Sequence, residues 1–308
     1  MSTTASTPLT TSTRTPSVTK VSANAANTAK TRLTGRGASV AAVVLAVLWT
    51  LPTFGLLISS VRPERAAKTT GWWTFFQNPV VTLDNYRTVL STTGSAGLGK
   101  YVVNSFVIVV PAVVIPICLA LLASYALAWI DFRGRSLLFI AIFALQIVPI
   151  QVTLLPLLTL YNQAGLPPFW RIWLSHSIFA LPLAIFLMHN FMREIPRELI
   201  EAARVDGAGH VKIFISVLLP LLKPAIAAFG IFQFLWVWND LLVALTFAGG
   251  GSDVAPITVG VLNLSGTRES AWHLLSAGAF VSIAVPVAVF LSMQRFFVRG
   301  LLAGGLKG

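Results

Sequence analysis

Apolar runs about twenty residues long recur along the chain, separated by shorter stretches in which charge, glycine and proline collect. A helix needs about 20 predominantly apolar residues to cross a bilayer. Six stretches meet that length: 38–60, 101–130, 137–160, 173–192, 223–247 and 274–296. The pattern predicts an all-α polytopic membrane protein with six transmembrane helices and both termini on one side. Pro111, Pro116, Pro149, Pro156, Pro182 and Pro286 fall inside these runs. Each removes a backbone donor and tends to kink its helix, which neighbouring helices can accommodate.

Composition agrees with the pattern. Of the 308 residues, 56% are hydrophobic and 10% charged, with a mean hydropathy of +0.79, whereas soluble domains carry roughly 25% charged residues. A net charge of +12 would suggest nucleic acid as a partner of a soluble protein. Here the basic residues flank apolar runs, as on the cytoplasmic side of a membrane, and no nucleic-acid partner is expected. With the N-terminus inside, 15 of the 22 Lys and Arg residues fall on the inner side and 7 outside, favouring N-in, C-in. Five of those seven lie in the segment 62–100, long enough to be translocated despite its charge. Residues 1–35 are rich in Thr, Ser, Ala and Asn, and the segment ending at Arg36 has five basic residues and no acidic one. We read 1–35 as a disordered cytoplasmic tail, although a transit peptide shares that composition. Residues 36–308 form the membrane domain.

Chemistry-bearing constellations are sparse. Cys118 lies alone in an apolar run, and His176, His189, His210 and His273 have no metal-ligand spacing, so no metal site is expected. No paired carboxylates, His dyad or nucleophile with its base occur at membrane depth, and no catalysis is expected. The stretch "GSAGLGKY" (94–101) nearly matches a phosphate-binding loop. Tyr101 stands where a hydroxyl should hold magnesium, and an apolar run follows, so it reads as a flexible turn. Gln233, Asn239 and Asp240 are polar outliers in the fifth run. A carboxylate at membrane depth is costly and by default functional, so Asp240 is either a proton carrier or a structural partner of a neighbouring helix. The first option describes a self-sufficient proton-coupled secondary transporter, against which the halves of the chain show no repeat. An ion channel would need a selectivity-filter or charge-ring segment, and none is evident.

The segment 191–226, "FMREIPRELIEAARVDGAGHVKIFISVLLPLLKPAI", differs from the rest. Ile195, Leu199, Ala202 and Ala203 share one helical face, with Arg197, Glu198, Glu201 and Arg204 on the other. Asp206-Gly207-Ala208-Gly209 then breaks the periodicity, predicting two short helices joined by a tight turn. The expected knob spans approximately 193–222. "EAARVDGAG" followed by "LLP" at 218–220 resembles the EAA motif of bacterial ABC importer permeases.

That resemblance covers about 38–308. "VTLDNYRTVL" (81–90), "NSF" (104–106), "FRGR" (132–135), "WND" (238–240) and the ending "QRFFVRGLLAGGLKG" (294–308) are similar to sugar-importer permeases of the MalG-like type. "FQFLWVWNDLLVAL" (232–245) and "GAFVSI" (278–283) are closer to α-glucoside permeases. The resemblance implies a non-catalytic subunit in the bacterial cytoplasmic membrane, importing a sugar by ATP-driven alternating access. Its implied partners are a second, MalF-like permease, two cytoplasmic ATPase subunits, an extracytoplasmic sugar-binding protein and membrane lipids. No cofactor is expected on this chain, because ATP and Mg would sit on the ATPases. Carried over residue by residue, Glu201, Ala202, Ala203, Asp206, Gly207 and Gly209 would couple to the ATPase. Gly300, Gly304, Gly305 and Lys307 belong to a tail reaching toward it. Gln233, Trp236, Trp238, Asn239 and Asp240 could line the translocation path, the tryptophans stacking a sugar ring or simply packing. The glycine-rich loop 248–273 would project toward the binding protein or serve as a flexible connector.

Overall fold

The computed structural model describes residues 36–94, 96–249, 251–267 and 271–305; the expected tail 1–35 and Lys307 lie outside them. Among the described residues the secondary structure is helical. In chain order come α1 (Arg36–Ser60), α2 (Glu64–Thr69), a 3-10 turn (Trp72–Phe76), α3 (Asp84–Leu90), α4 (Gly99–Trp129), α5 (Arg135–Ala144), α6 (Ile150–Gln163) and α7 (Pro168–Arg193). Then follow α8 (Arg197–Val205), α9 (His210–Trp238), α10 (Leu242–Ala248), α11 (Ile257–Thr267) and α12 (Trp272–Gly305). The chain divides into two compact units, one ending at Gly55 and the other running from Leu56. In the first, the body of α1 is apolar around its whole circumference, as a membrane span should be.

Within the second unit, α4 and α7 form the central pair, and they run parallel. Trp173 Nε1 donates to the Val107 carbonyl at 3.0 Å near their starts, and Ser124 Oγ donates to the Ile185 carbonyl at 3.0 Å near their ends. Asn104, Ile108, Ala112, Pro116, Ala120 and Ser124 are buried on α4 at every fourth position. Ile172, His176, Ala180, Ala184, Met188 and Met192 repeat that spacing on α7. Rows of this kind form the ridges by which helices interlock, and small residues within them let membrane helices approach closely. Antiparallel to both runs α9, whose Gln233 Nε2 donates to the Ala112 carbonyl at 3.3 Å while His210, at its other end, meets Tyr125.

Two parallel spans require a crossing between them, and here the structure departs from the expected single helix over 137–160. Arg135–Ile147 and Ile150–Gln163 are separate pieces bent by 99° about Val148-Pro149. The residue before a proline avoids the helical region, and Val148 is extended at ψ 120°. Pro111, Pro116, Pro156, Pro182 and Pro286 stay inside continuous helix. Among the described residues, five helices are long and apolar enough to cross a membrane, six if the bent pair counts as one.

The fifth span also differs from 223–247. It starts at His210, continues through a π-helical turn at Phe214–Leu218 and ends at Trp238. Asn239 closes it by donating from Nδ2 to the Leu235 carbonyl at 2.8 Å. The expected second short helix of the knob is thus the first part of this span. Within 248–273 the described residues include a helix: α11 folds back onto α4, with Ala255, Ile257 and Val259 fully buried. Ser105 Oγ accepts from the Ile257 amide at 2.8 Å, and Asn104 Nδ2 donates to the carbonyls of Ser252 and Ala255.

At the same end, the segment 62–100 is folded. Arg62, 4% exposed, donates to the Gly71 carbonyl and to the hydroxyls of Thr70 and Thr74, while Asn85 Nδ2 donates to the carbonyls of Ser60 and Arg62. The "GSAGLGKY" stretch is a turn anchored at Leu98. Buried Leu98 donates its amide to the Val89 carbonyl at 2.7 Å, and its side chain lies against α11 at Gly260 and α12 at Gly278. A Cβ at Gly260 would come within 2.8 Å of the Leu98 side chain and 2.9 Å of the Tyr101 ring. Gly260→Val should therefore destabilise the chain by about 1–3 kcal/mol, the usual cost of overpacking. Thermal unfolding of the purified full chain would show this as a lowered midpoint.

Candidate coupling and translocation sites

Eight residues after the predicted acidic-basic face begins, the polypeptide reverses. Val205 ends α8, and Gly207 adopts φ +77°, a left-handed conformation that favours glycine. The Gly207 amide donates to the Arg204 carbonyl and the Ala208 amide to the Ala203 carbonyl, both at 2.9 Å. This is the paired-bond ending of a Schellman motif. Gly209 differs: its φ is −75°, and a Cβ there would meet nothing within 4 Å.

The inward face of α8 is not the one expected. Ile200, which the sequence reading passed over, is buried at 3%, while Leu199 is 46% exposed and Ala202 is exposed. The helical periodicity was sound but its phase was displaced by one residue. Ile200 packs in a cluster with Ile213, Met192 and Leu127, which are the ends of α9, α7 and α4; Ile195, Ala203 and Ala208 lie partly buried against it. Tyr125 Oη and His210 Nδ1 share a hydrogen bond of 2.6 Å, and Phe214 packs edge-on against the Tyr125 ring. The knob is consequently fixed to three membrane helices at one end of the bundle.

Its outer face is unencumbered. Glu201, Ala202 and Asp206 are exposed, and Glu201 and Arg204 make no ion pair or side-chain hydrogen bond among the described residues. A notch of about 110 Å³ beside them is lined by Trp129, Asp131, Arg197, Ile200, Glu201 and Arg204, among others. Val205 and Val211 stand exposed on either side of the turn. A short helix presenting small and apolar side chains around a free carboxylate can dock into a cleft of complementary charge.

The five residues of the fifth run separate. Gln233 and Trp236 line a cavity of about 50 Å³ with His176, Gln146, Phe179 and Phe232. Liquid water takes about 30 Å³ per molecule and small-molecule sites about 300–1,000 Å³, so this cavity by itself has no room for a sugar. Trp238 is turned into the core, donating from Nε1 to the Ser282 carbonyl on α12 at 3.0 Å and stacking on Phe234. Asn239 is exposed at the end of α9. Asp240 caps α10, its carboxylate accepting from the amides of Val243 (3.3 Å) and Ala244 (3.0 Å), with His176 Nε2 3.8 Å away. Gly300, Gly304 and Gly305 lie in α12.

The family described as "Binding-protein-dependent transport system inner membrane component" matches residues 117–302. An osmoprotective compounds uptake permease protein of Synechocystis is 52% identical over 87% of this chain and 91% of its own length. The alpha-glucoside transport system permease protein of Rhizobium meliloti is 47% identical over 82% and 67%, and a trehalose transport system permease protein of Mycobacterium tuberculosis 33% over 87% and 94%. Among solved structures, one chain of a bacterial ABC transporter that imports the acidic polysaccharide alginate superposes with a TM-score of 0.68 at 20% identity, covering 92% of this chain and all of that one. The last likeness supports the fold.

The two glycines of the turn give contrasting expectations. Gly207→Val should destabilise the chain by about 1–2 kcal/mol, the cost of a left-handed residue with a Cβ, whereas Gly209→Ala should be close to neutral. Thermal midpoints of the two purified variants would check the contrast.

Proposed function

Because the chain belongs to the family of binding-protein-dependent transport system inner membrane components, we propose that it imports an α-glucoside or a related oligosaccharide by ATP-driven alternating access. It is a multi-pass permease subunit of an ABC sugar importer in the bacterial plasma membrane. Such subunits are non-catalytic and work with a second permease, ATPases and a binding protein. In this reading the second permease is MalF-like, two ATPases bind, and ATP and Mg sit on them. The chain is N-in, C-in, with Glu201, Ala202, Ala203, Asp206, Gly207 and Gly209 at the ATPase and the tail from Gly300 running toward it. The α-glucoside assignment draws on the 47% identity to the alpha-glucoside permease.

The observation that carries the coupling reading is the free Glu201 on a helix whose opposite face, through Ile200, is buried among the ends of α4, α7 and α9. A push or pull on that helix reaches three spans at once. ATP-driven closure of the ATPases then favours whichever state of the bundle brings the knobs together, a population shift set by differential affinity for the two states. The self-sufficient carrier built on Asp240 finds no support, since that carboxylate is occupied in capping α10.

Glu201→Lys should weaken ATPase association by about 2–5 kcal/mol, roughly thirtyfold or more, as when one member of an interfacial charge pair is lost. Co-purification and sugar uptake of the assembled importer should fall together, and unchanged values for both would overturn the coupling role. For the substrate, uptake of labelled maltose should be inhibited by unlabelled trehalose or sucrose; no uptake or competition with any of the three would remove the α-glucoside assignment.

A further inference from the structure

Beside the coupling helix, sharing Ala128, Arg135 and Arg197 with the notch at Glu201, lies a cavity of about 300 Å³. Its walls come from four elements: Leu127 of α4, Arg135 and Phe139 of α5, His189 and Arg193 of α7, and Arg197 at the start of α8. Three guanidinium groups therefore face one space with no carboxylate in its lining. Arg135 is partly neutralised by Asp131, 2.6 Å from its Nη1. Arg193 and Arg197 have no ion pair or side-chain hydrogen bond among the described residues. The His189 ring packs at a tilt of 35° against Phe139 with centroids 4.3 Å apart, and its Nδ1 is buried without a partner among the described residues. Arg193 and Arg197 are both exposed, so an anion entering from outside can join these two like charges. Their planar forks match phosphate oxygens.

The surroundings identify the source of that phosphate. Leaving the cavity along α5, Leu137 and Ile140 are 72% and 63% exposed, an apolar track that acyl chains could cover. Trp129 and Phe132 lie at the same end of α4, where aromatic residues mark a membrane interface. Basic pockets between membrane helices at headgroup level suit anionic phospholipids. We propose that this cavity binds the headgroup phosphate of an anionic phospholipid, such as phosphatidylglycerol, through Arg193 and Arg197 with its acyl chains along α5. The bound lipid bridges the ends of α4, α5 and α7 to the first residue of the coupling helix. Its occupancy stiffens the base of α8 next to the notch at Glu201.

The test uses the complete importer purified in a neutral detergent, with its thermal midpoint followed as phosphatidylglycerol, phosphatidylcholine or inorganic phosphate is added. Phosphatidylglycerol should raise the midpoint, while phosphatidylcholine and phosphate should not. In Arg193→Gln/Arg197→Gln the apparent affinity for phosphatidylglycerol should fall about tenfold or more, the loss expected for one charge-assisted hydrogen bond. Arg193→Lys/Arg197→Lys, which keeps the charge, should retain much of the response and controls for folding. An undiminished response in the Gln variant would overturn the proposal. So would a phosphate response equal to that of the lipid, which would indicate a free-anion site. Loss of the ATPase subunits from the Gln variant with the lipid response intact would also overturn it, assigning the arginines to a protein contact.

Discussion

Helices in a bilayer gain nothing by hiding apolar side chains from one another, because the lipid is equally apolar; close packing and interhelical hydrogen bonds must hold them. The parallel contact between α4 and α7 is where this chain meets that constraint. Ala112, Ala120 and Ser124 on one side and Ala180 and Ala184 on the other bring the backbones together. The hydroxyl of Ser124 and the indole of Trp173 each bond a carbonyl across the seam. Parallel neighbours need a return crossing, which the bent α5 and α6 provide. The antiparallel α9 then lies against both. One end of this bundle is closed by α10, α11 and the folded segment before α4, the other by α8.

Placing α8 at the ends of the packed spans makes it a handle on them. Ile200 enters the cluster formed by α4, α7 and α9, the Gly207 turn joins α8 directly to α9, and the Tyr125–His210 hydrogen bond ties that junction back to α4. Displacement of the knob is thus resisted by cores rather than by a flexible loop. At the far end, Asp240 and Asn239 terminate α9 and start α10, and Thr258 Oγ1 donates to the Asp240 carbonyl at 2.6 Å. The break in the fifth span is thereby locked to α11, so a rotation of α9 would carry the opposite face with it.

Much of this arrangement is legible in the sequence because lipid imposes a length and a uniform apolarity on spans. The knob is visible because charge and two glycines interrupt that uniformity. What escaped reading has physical causes. Six prolines look alike in an apolar run, and Pro149 differs by the conformation its context imposes on Val148. The face of α8 was assigned to Leu199 rather than Ile200 because both are apolar and neighbouring phases of a nine-residue helix differ little in contrast. The stretch "ITVGVLNL" of α11 hides between glycines that suggest a loop. One signal was available: small or polar residues stand at multiples of four in both apolar runs, at Asn104, Ala112, Pro116, Ala120 and Ser124 and at His176, Ala180 and Ala184, and these rows form the seam.

The claim that α8 is the contact through which ATP acts can be examined by site-directed cross-linking in the assembled importer. With the exposed native Cys118 replaced by Ser, a cysteine at Ala202 should form an adduct with the ATPase subunit, whereas one at Thr92, at the opposite end of the bundle, should not. Absence of the Ala202 adduct in an assembly that retains its ATPases, or equal adducts from both positions, would contradict the account.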